Sequence, residues 1–216
     1  MLKMLVELLL PYVNDVRFVD EAKIRKFAEA QNILLRDEHL HFLMRFGSEE
    51  NGRPSIFEWW EGDFDFDLFS RVYLEKYPDM EVPAGNTFFG CDFVGHSFCV
   101  DNSSGGIFLY DEGERFGLVH EGINGFLLRC MASVYGTEAF AGKTVNIGVE
   151  KEIFEEFKSK NHREKIAGAT SYDFEYVNLD QPAIVYEYYM VERNLISLCH
   201  PTRTMITLSG GILGEI

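Results

Sequence analysis

The fold class expected for this sequence is α+β, with helices, a β-meander and then further helices and strands in turn along the chain. Three observations carry that reading. The first fifty residues show apolar residues at helical spacing, the stretch from Phe88 to Tyr110 reads as a β-meander, and the cleanest amphipathic helix in the chain follows it.

Leu2, Leu5, Val6, Leu9 and Val13 recur at the spacing of one helix face. A signal peptide explains this run less well, since Glu7 interrupts it and no small-residue cleavage site follows before Arg17. Asp20 is placed to cap a helix from Glu21 to about Ala30, with Ile24, Phe27 and Ala28 on one face. Asp37 is placed to cap the next, in which Leu40, Leu43 and Met44 mark a stripe that Phe42 and Phe46 widen, and Gly47 ends it. Ile33 and Leu34 read as a short apolar crossing between the two helices. Phe66, Phe69, Tyr73 and Tyr77 suggest a further helix, stopped by Pro78.

The meander follows from short apolar alternations broken by glycine and by the cluster Asp101-Asn102-Ser103-Ser104-Gly105-Gly106. Strands with one buried face need period-two alternation, and their turns need residues that tolerate positive φ or bond their own backbone. Strands are expected near Thr87 to Phe93, Ser97 to Val100, Ile107 to Tyr110 and Phe116 to Val119. In Ile123 to Tyr135, the residues Ile123, Phe126, Leu127, Cys130, Met131 and Val134 form a single broad stripe suited to a sheet face, and Gly136 closes the helix. The remainder offers a charged helix around Val149 to Lys160, then strands near Ala183 to Val191, Leu195 to Cys199 and Thr204 to Leu208. Residues 1–136 read as one α+β domain, with 137–216 as an extension packed on it or continuous with it.

At 216 residues, 46% of them hydrophobic and 19 of them Phe, the chain can bury a large core. Its formal net charge is −15, from 35 acidic and 20 basic residues. Such an excess repels phosphate backbones and anionic lipid, which argues against direct nucleic-acid or membrane binding and favours a basic protein as partner. The chain also lacks the run of about 18 apolar residues that a membrane span needs. Cys91, Cys99, Cys130 and Cys199 contain no Cys-x-x-Cys pair and read as reduced core residues of a cytoplasmic protein.

Between Glu49 and Val82, ten carboxylates and three bases leave a net −7, nearly half of the charge of the whole chain. Within it, Trp59 and Trp60 sit among Glu58, Glu61, Asp63, Asp65 and Asp67, an aromatic anchor beside a negative field. If that segment is extended, adjacent tryptophans face opposite sides and one of them is partly exposed. These seven residues are the candidate partner-binding site. Asp63-x-Asp65-x-Asp67 has the opening spacing of a calcium loop, but Leu68 replaces the turn glycine and Leu74 the bidentate Glu, so no metal is assigned. Gly95-His96-Ser97-Phe98-Cys99 lacks the last glycine of a nucleophile elbow, which leaves a Ser97 or Cys99 hydrolase as a lesser alternative to a binder. His39 and His41 are two apart and diverge on a helix, and Gly210-Gly211-x-x-Gly214 lacks a helix after it. Lys158, Lys160, His162, Arg163 and Lys165 read as a solvated helix face, with a salt-steered contact as the functional alternative. No catalytic residue, metal or cofactor is expected.

The run from Ile33 to Gly47, the stretch Phe89-Gly90-Cys91-Asp92-Phe93-x-Gly95-His96-Ser97-Phe98-Cys99-Val100-Asp101, the strand Gly106-Ile107-Phe108-Leu109-Tyr110-Asp111 and the helix at Phe126-Leu127 resemble, in this order, the pattern of the SUKH superfamily. The resemblance covers about Asp20 to Tyr135; Arg36 stands where the family usually carries proline, and Gly47-Ser48 replaces a double glycine. It implies a twisted, mostly antiparallel sheet with helices packed on one side. It also implies a cytoplasmic immunity protein that binds and neutralises a cognate nuclease- or deaminase-type toxin, or a regulatory scaffold of the same fold. The family supplies no catalytic residues.

Overall fold

The protein, seen here in a computed structural model, is described over residues 1–47, 54–75, 80–171, 184–200 and 202–216, the side chains of 59, 60, 169–171 and 184 excepted. Among these residues are six α-helices and nine strands. The helices are α1 (Leu2–Leu9), α2 (Glu21–Ala30), α3 (Asp37–Arg45), α4 (Phe66–Glu75), α5 (Ile123–Tyr135) and α6 (Lys151–Lys160). The strands are β1 (Asn86–Cys91), β2 (Ser97–Asp101), β3 (Ile107–Asp111), β4 (Glu114–His120), β5 (Gly142–Asn146), β6 (Lys165–Ser171), β7 (Ile184–Val191), β8 (Asn194–His200) and β9 (Thr204–Ser209). Every pairing described below is antiparallel, and the fold class is α+β. No helix among the described residues is long and apolar enough to cross a membrane.

The chain forms two compact units, and their boundary differs from the expected one. Residues Val13–Ile123 make one unit. The other joins Met1–Tyr12 to Asn124–Ile216, so α1 and nearly all of α5 group with the C-terminal third.

In the Val13–Ile123 unit, Asp20 caps α2 as its position predicts, accepting from the Ala22 N–H at 2.7 Å. Helix α3 begins one residue earlier than the capping reading placed it. Arg36 occupies the cap without a side-chain bond, and Asp37 is the first helical residue, where its charge favours the helix dipole. Arg36 instead donates from Nη1 to the Asn102 carbonyl at 2.9 Å. Leu34, expected in an apolar crossing, is exposed; its carbonyl accepts from Thr87 Oγ1. The meander pairs β1-β2-β3-β4 in chain order, with Cys91 opposite Ser97, Ser97 opposite Tyr110, and Asp111 opposite Glu114.

The core of this unit is a phenylalanine cluster. Phe42 lies 4.7 Å from Phe89 and 4.9 Å from Phe46, while Phe64 lies 5.1 Å from Phe57 and 5.4 Å from Phe98, all between ring centroids. Each such ring contributes roughly 1.5–3 kcal/mol through burial, plus a smaller gain from tilted ring contacts. Gly90 sits where no side chain fits: a Cβ there would lie 2.2 Å from Phe64 and 2.7 Å from the Asp63 carbonyl oxygen. The β1 register shifts at this glycine, which lets the chain around Asp63 come against the strand.

The other unit builds a five-stranded sheet in the order β6-β7-β8-β9-β5. Through these four antiparallel pairings β5 and β6 come to run parallel, and α6 is the crossover between them. Phe154 of α6 accordingly packs on Tyr189, Ile196 and Leu198, with Val149, Phe157, Val191 and Met205 around them. Neither β5 nor β6 was expected from the sequence. Helix α5 also departs from the single stripe: Leu128 and Arg129 are buried with the predicted face, and Val134 is exposed. The Arg129 guanidinium lies 4.3 Å above the Tyr186 ring, a contact that fits a cation taken out of water. The C-terminal glycines open a 3-10 turn, Gly211–Glu215, that buries Ile212 and Leu213.

Candidate functional site

The acidic segment does not form the extended strand that would split its tryptophans. Residues Ser55–Trp60 are a 3-10 helix, so the alternation argument for Trp59 and Trp60 does not hold, and their side chains lie outside the described residues. Glu58 and Glu61 are exposed, and Glu61 has positive φ (46°) at the end of the turn. Asp63 is half-buried and its backbone forms a two-way bridge to the end of β1: its N–H donates to the Cys91 carbonyl at 2.9 Å, and the Cys91 N–H donates back at 3.1 Å. Asp67 is half-buried in the first turn of α4.

Asp65 has a structural duty. It is only 4% exposed, and its Oδ1 accepts from the Leu68 N–H at 2.8 Å, the capping bond of α4. Its carboxylate faces the fold and not a partner. Replacing Asp65 by alanine is expected to destabilise the protein by about 1 kcal/mol, read as a lower urea midpoint with an unchanged slope. Tyr77, Pro78, Glu49, Glu50, Arg53, Lys76 and Asp79, which contributed to the expected acidic stretch and its helix stop, fall outside the described residues.

Folding brings to Asp63 a set of residues that sequence proximity does not reveal. Because the meander is antiparallel, the β1–β2 loop and the β3–β4 turn emerge at the same end of the sheet. The loop carries Phe93, Val94 and His96. The turn carries Asp111, Glu112 and Glu114, with Glu112 (φ 46°) and Gly113 (φ 81°) both left-handed, the pair of conformations a two-residue hairpin requires. Glu81 joins them: its Oε2 would lie 2.9 Å from a Cβ at Gly113. Six carboxylates, those of Glu61, Asp63, Glu81, Asp111, Glu112 and Glu114, thus gather around one end of the sheet. The arginine of that end, Arg115, lies with its guanidinium 3.3 Å from the Phe108 ring centroid. A hairpin signal at Glu112-Gly113 was present in the sequence; what it lacked was the register that sets this turn beside Asp63.

The residues of the hydrolase alternative are placed differently. Cys99 is buried in β2, and burial pushes its thiol up to about 12, far from a reactive thiolate. Cys91 is likewise raised to about 11, by burial first and then by nearby carboxylates. Ser97 is buried in the strand, opposite Cys91 and Tyr110. His96 turns to Asp92, its Nδ1 2.8 Å from Oδ2. None of the four cysteines is in a disulfide, and all four are buried. Among the described residues, no group of three or more His, Cys, Asp or Glu has metal-binding geometry.

His39 and His41 diverge as expected, and His39 is fully buried. Its ring lies 5.5 Å from Phe89 and 5.6 Å from Phe69, and among the described residues neither ring nitrogen has a hydrogen-bond partner. Burial lowers its pKa to about 3. In the basic cluster, Lys158 Nζ is 3.0 Å and Lys165 Nζ 3.6 Å from the Glu187 carboxylate, which His200 also approaches at 3.1 Å. Burial alone would raise the Glu187 carboxyl, but these three neighbours outweigh it and hold it below its ordinary value. Two members of the cluster are thus committed inside the fold.

No family model, curated protein or solved structure matches the chain.

Proposed function

We propose that the chain is a non-catalytic, cytoplasmic immunity-type protein that binds a basic protein toxin and blocks its cationic cleft. The observation that carries this reading is the convergence of six carboxylates from three separate segments at one end of the four-stranded sheet. The SUKH-like pattern of the sequence supports the same reading independently. A nuclease-type toxin must present Lys and Arg to hold phosphate, so a negative surface can occupy the site that its substrate needs. Opposite fields raise encounter rates by roughly 10–1000-fold at low salt, and the gain fades as salt rises.

The contact set differs from the seven residues of the linear segment. Glu58, Glu61, Asp63 and Asp67 remain on it, Trp59 and Trp60 stay on it as the sequence reading placed them, Asp65 becomes a helix cap, and Glu81, Asp111, Glu112 and Glu114 are added.

The test is binding and protection against the nuclease- or deaminase-type toxin encoded beside this chain. Wild type is expected to bind and to restore growth of cells expressing the toxin. Combined Glu61→Lys, Glu112→Lys and Glu114→Lys is expected to slow association at least about tenfold at low salt while leaving the thermal midpoint unchanged. Equal association rates for the two proteins would remove this surface from the contact, and absence of any binding would remove the proposed function.

A further inference from the structure

We infer that the β1–β2 loop is the anchor of this contact: Phe93 and Val94 enter an apolar pocket in a cationic protein partner. The inference rests on the acidic-contact reading and adds the part that supplies affinity, since a rim of charge mainly sets encounter rate and specificity.

Phe93 is 61% exposed, Val94 54% and Phe116 43%. Single exposed apolar residues are ordinary on protein surfaces, but these lie together at one end of the sheet, with the His96 ring 6.3 Å from that of Phe116. The loop is also held in place. The buried Asp92 carboxylate accepts from the Val94 N–H at 3.1 Å and the His96 N–H at 2.9 Å, and meets His96 Nδ1 at 2.8 Å. The backbone adds two more bonds, Asp92 N–H to the His96 carbonyl and Gly95 N–H to the Asp92 carbonyl. Five bonds within five residues therefore hold the backbone that carries these two exposed apolar side chains. A loop ordered before binding loses less conformational entropy on docking, which is how a small apolar knob can dominate an interface.

The surroundings select the occupant. At the same end of the sheet as the tip stand Glu61, Asp63, Asp111, Glu112 and Glu114, with Glu81 by the neighbouring turn. A second copy of this chain would bring the same carboxylates and a net −15 of its own, and an anionic lipid surface would be repelled in the same way. A cationic protein with an apolar depression satisfies both the ring and the knob.

Two synthetic peptides of equal length and charge serve as probes, one alternating Lys with Leu and one alternating Lys with Gly. They are titrated at low salt against wild type, against Phe93→Ser with Val94→Ser, and against Glu112→Gln with Glu114→Gln. The serine pair removes apolar surface without changing charge, and because both side chains already face water its thermal midpoint is expected to match wild type. It is expected to weaken the Lys/Leu peptide about tenfold and leave the Lys/Gly peptide unchanged. The glutamine pair is expected to weaken both peptides. If wild type binds both peptides and the serine pair binds Lys/Leu as tightly as wild type, the anchor is overturned while the acidic contact stands. If wild type binds neither peptide, the acidic-contact reading falls and the anchor falls with it.

Discussion

Phe89→Ala is expected to lower unfolding free energy by about 3–5 kcal/mol, the range for removing a large side chain that neighbours cannot close over. Phe89 is fully buried in β1, and its ring lies 4.7 Å from Phe42, 5.5 Å from Phe64 and 5.5 Å from His39. Those neighbours come from α3, which carries His39 and Phe42, and from the segment before α4, which carries Phe64. A cavity there removes contacts on several sides, and interiors packed at crystal-like density relax only partly. Domains of this kind are commonly stable by only about 5–15 kcal/mol, so one truncation can consume a third or more of the total. Urea unfolding of wild type and variant measures the difference. A loss below about 1 kcal/mol would mean that the cluster can collapse around the missing ring.

The second large effect is acid destabilisation through His39. Its folded-state pKa is about 3 against 6.5 for an unperturbed imidazole, because burial among rings such as Phe42, Phe69 and Phe89 strips the charged form of its hydration. The folded protein therefore keeps His39 neutral while the unfolded chain takes up a proton below pH 6.5. Stability is full above that value and falls as pH drops toward 3, by about 1.4 kcal/mol per pH unit. Between pH 6.5 and about pH 4 the loss amounts to about 3 kcal/mol. His39→Leu removes the titration while keeping an apolar filling, so the difference between the two stability curves isolates this one group from the many carboxylates. Wild type is expected to lose ground steadily relative to the variant as pH falls. Parallel curves would show that His39 gains a partner or water when protonated.

Much of the local structure was legible because it is local. The α2 boundaries follow from Asp20 and the spacing of Ile24 and Ala28, and the meander follows from alternation and turn chemistry. For His39 the sequence reading reached only its divergence from His41; the signal for its burial is the i, i+3, i+4, i+7 face it shares with Phe42, Leu43 and Phe46, the buried face of α3. What stayed hidden depends on distant partners. β5, Gly-Lys-Thr-Val-Asn, has no apolar alternation because it is an edge strand with largely exposed side chains, and only pairing with β9 makes it a strand. β6 contains Ala-Gly-Ala at its centre and owes its conformation to β7. Asp65 was grouped with its acidic neighbours by composition, while its position immediately before Phe66 makes it a cap. The sheet-end site was illegible for a related reason. Glu61, Phe93 and Glu112 are about twenty to thirty residues apart in turn, and only the strand register brings them to one end.

The partition of the chain has a consequence for its synthesis. Val13–Ile123 is contiguous and can complete its core as soon as it clears the ribosome. The first twelve residues belong with the last ninety or so, and α1 shares a small cleft with the final 3-10 turn through Leu8, Pro11, Tyr12 and Ile212. At about 5–20 residues per second, roughly 10–40 s separate the emergence of α1 from that of this turn. Through that interval the leucines of α1 are without their final neighbours, so α1 is a segment that a holding chaperone can grip.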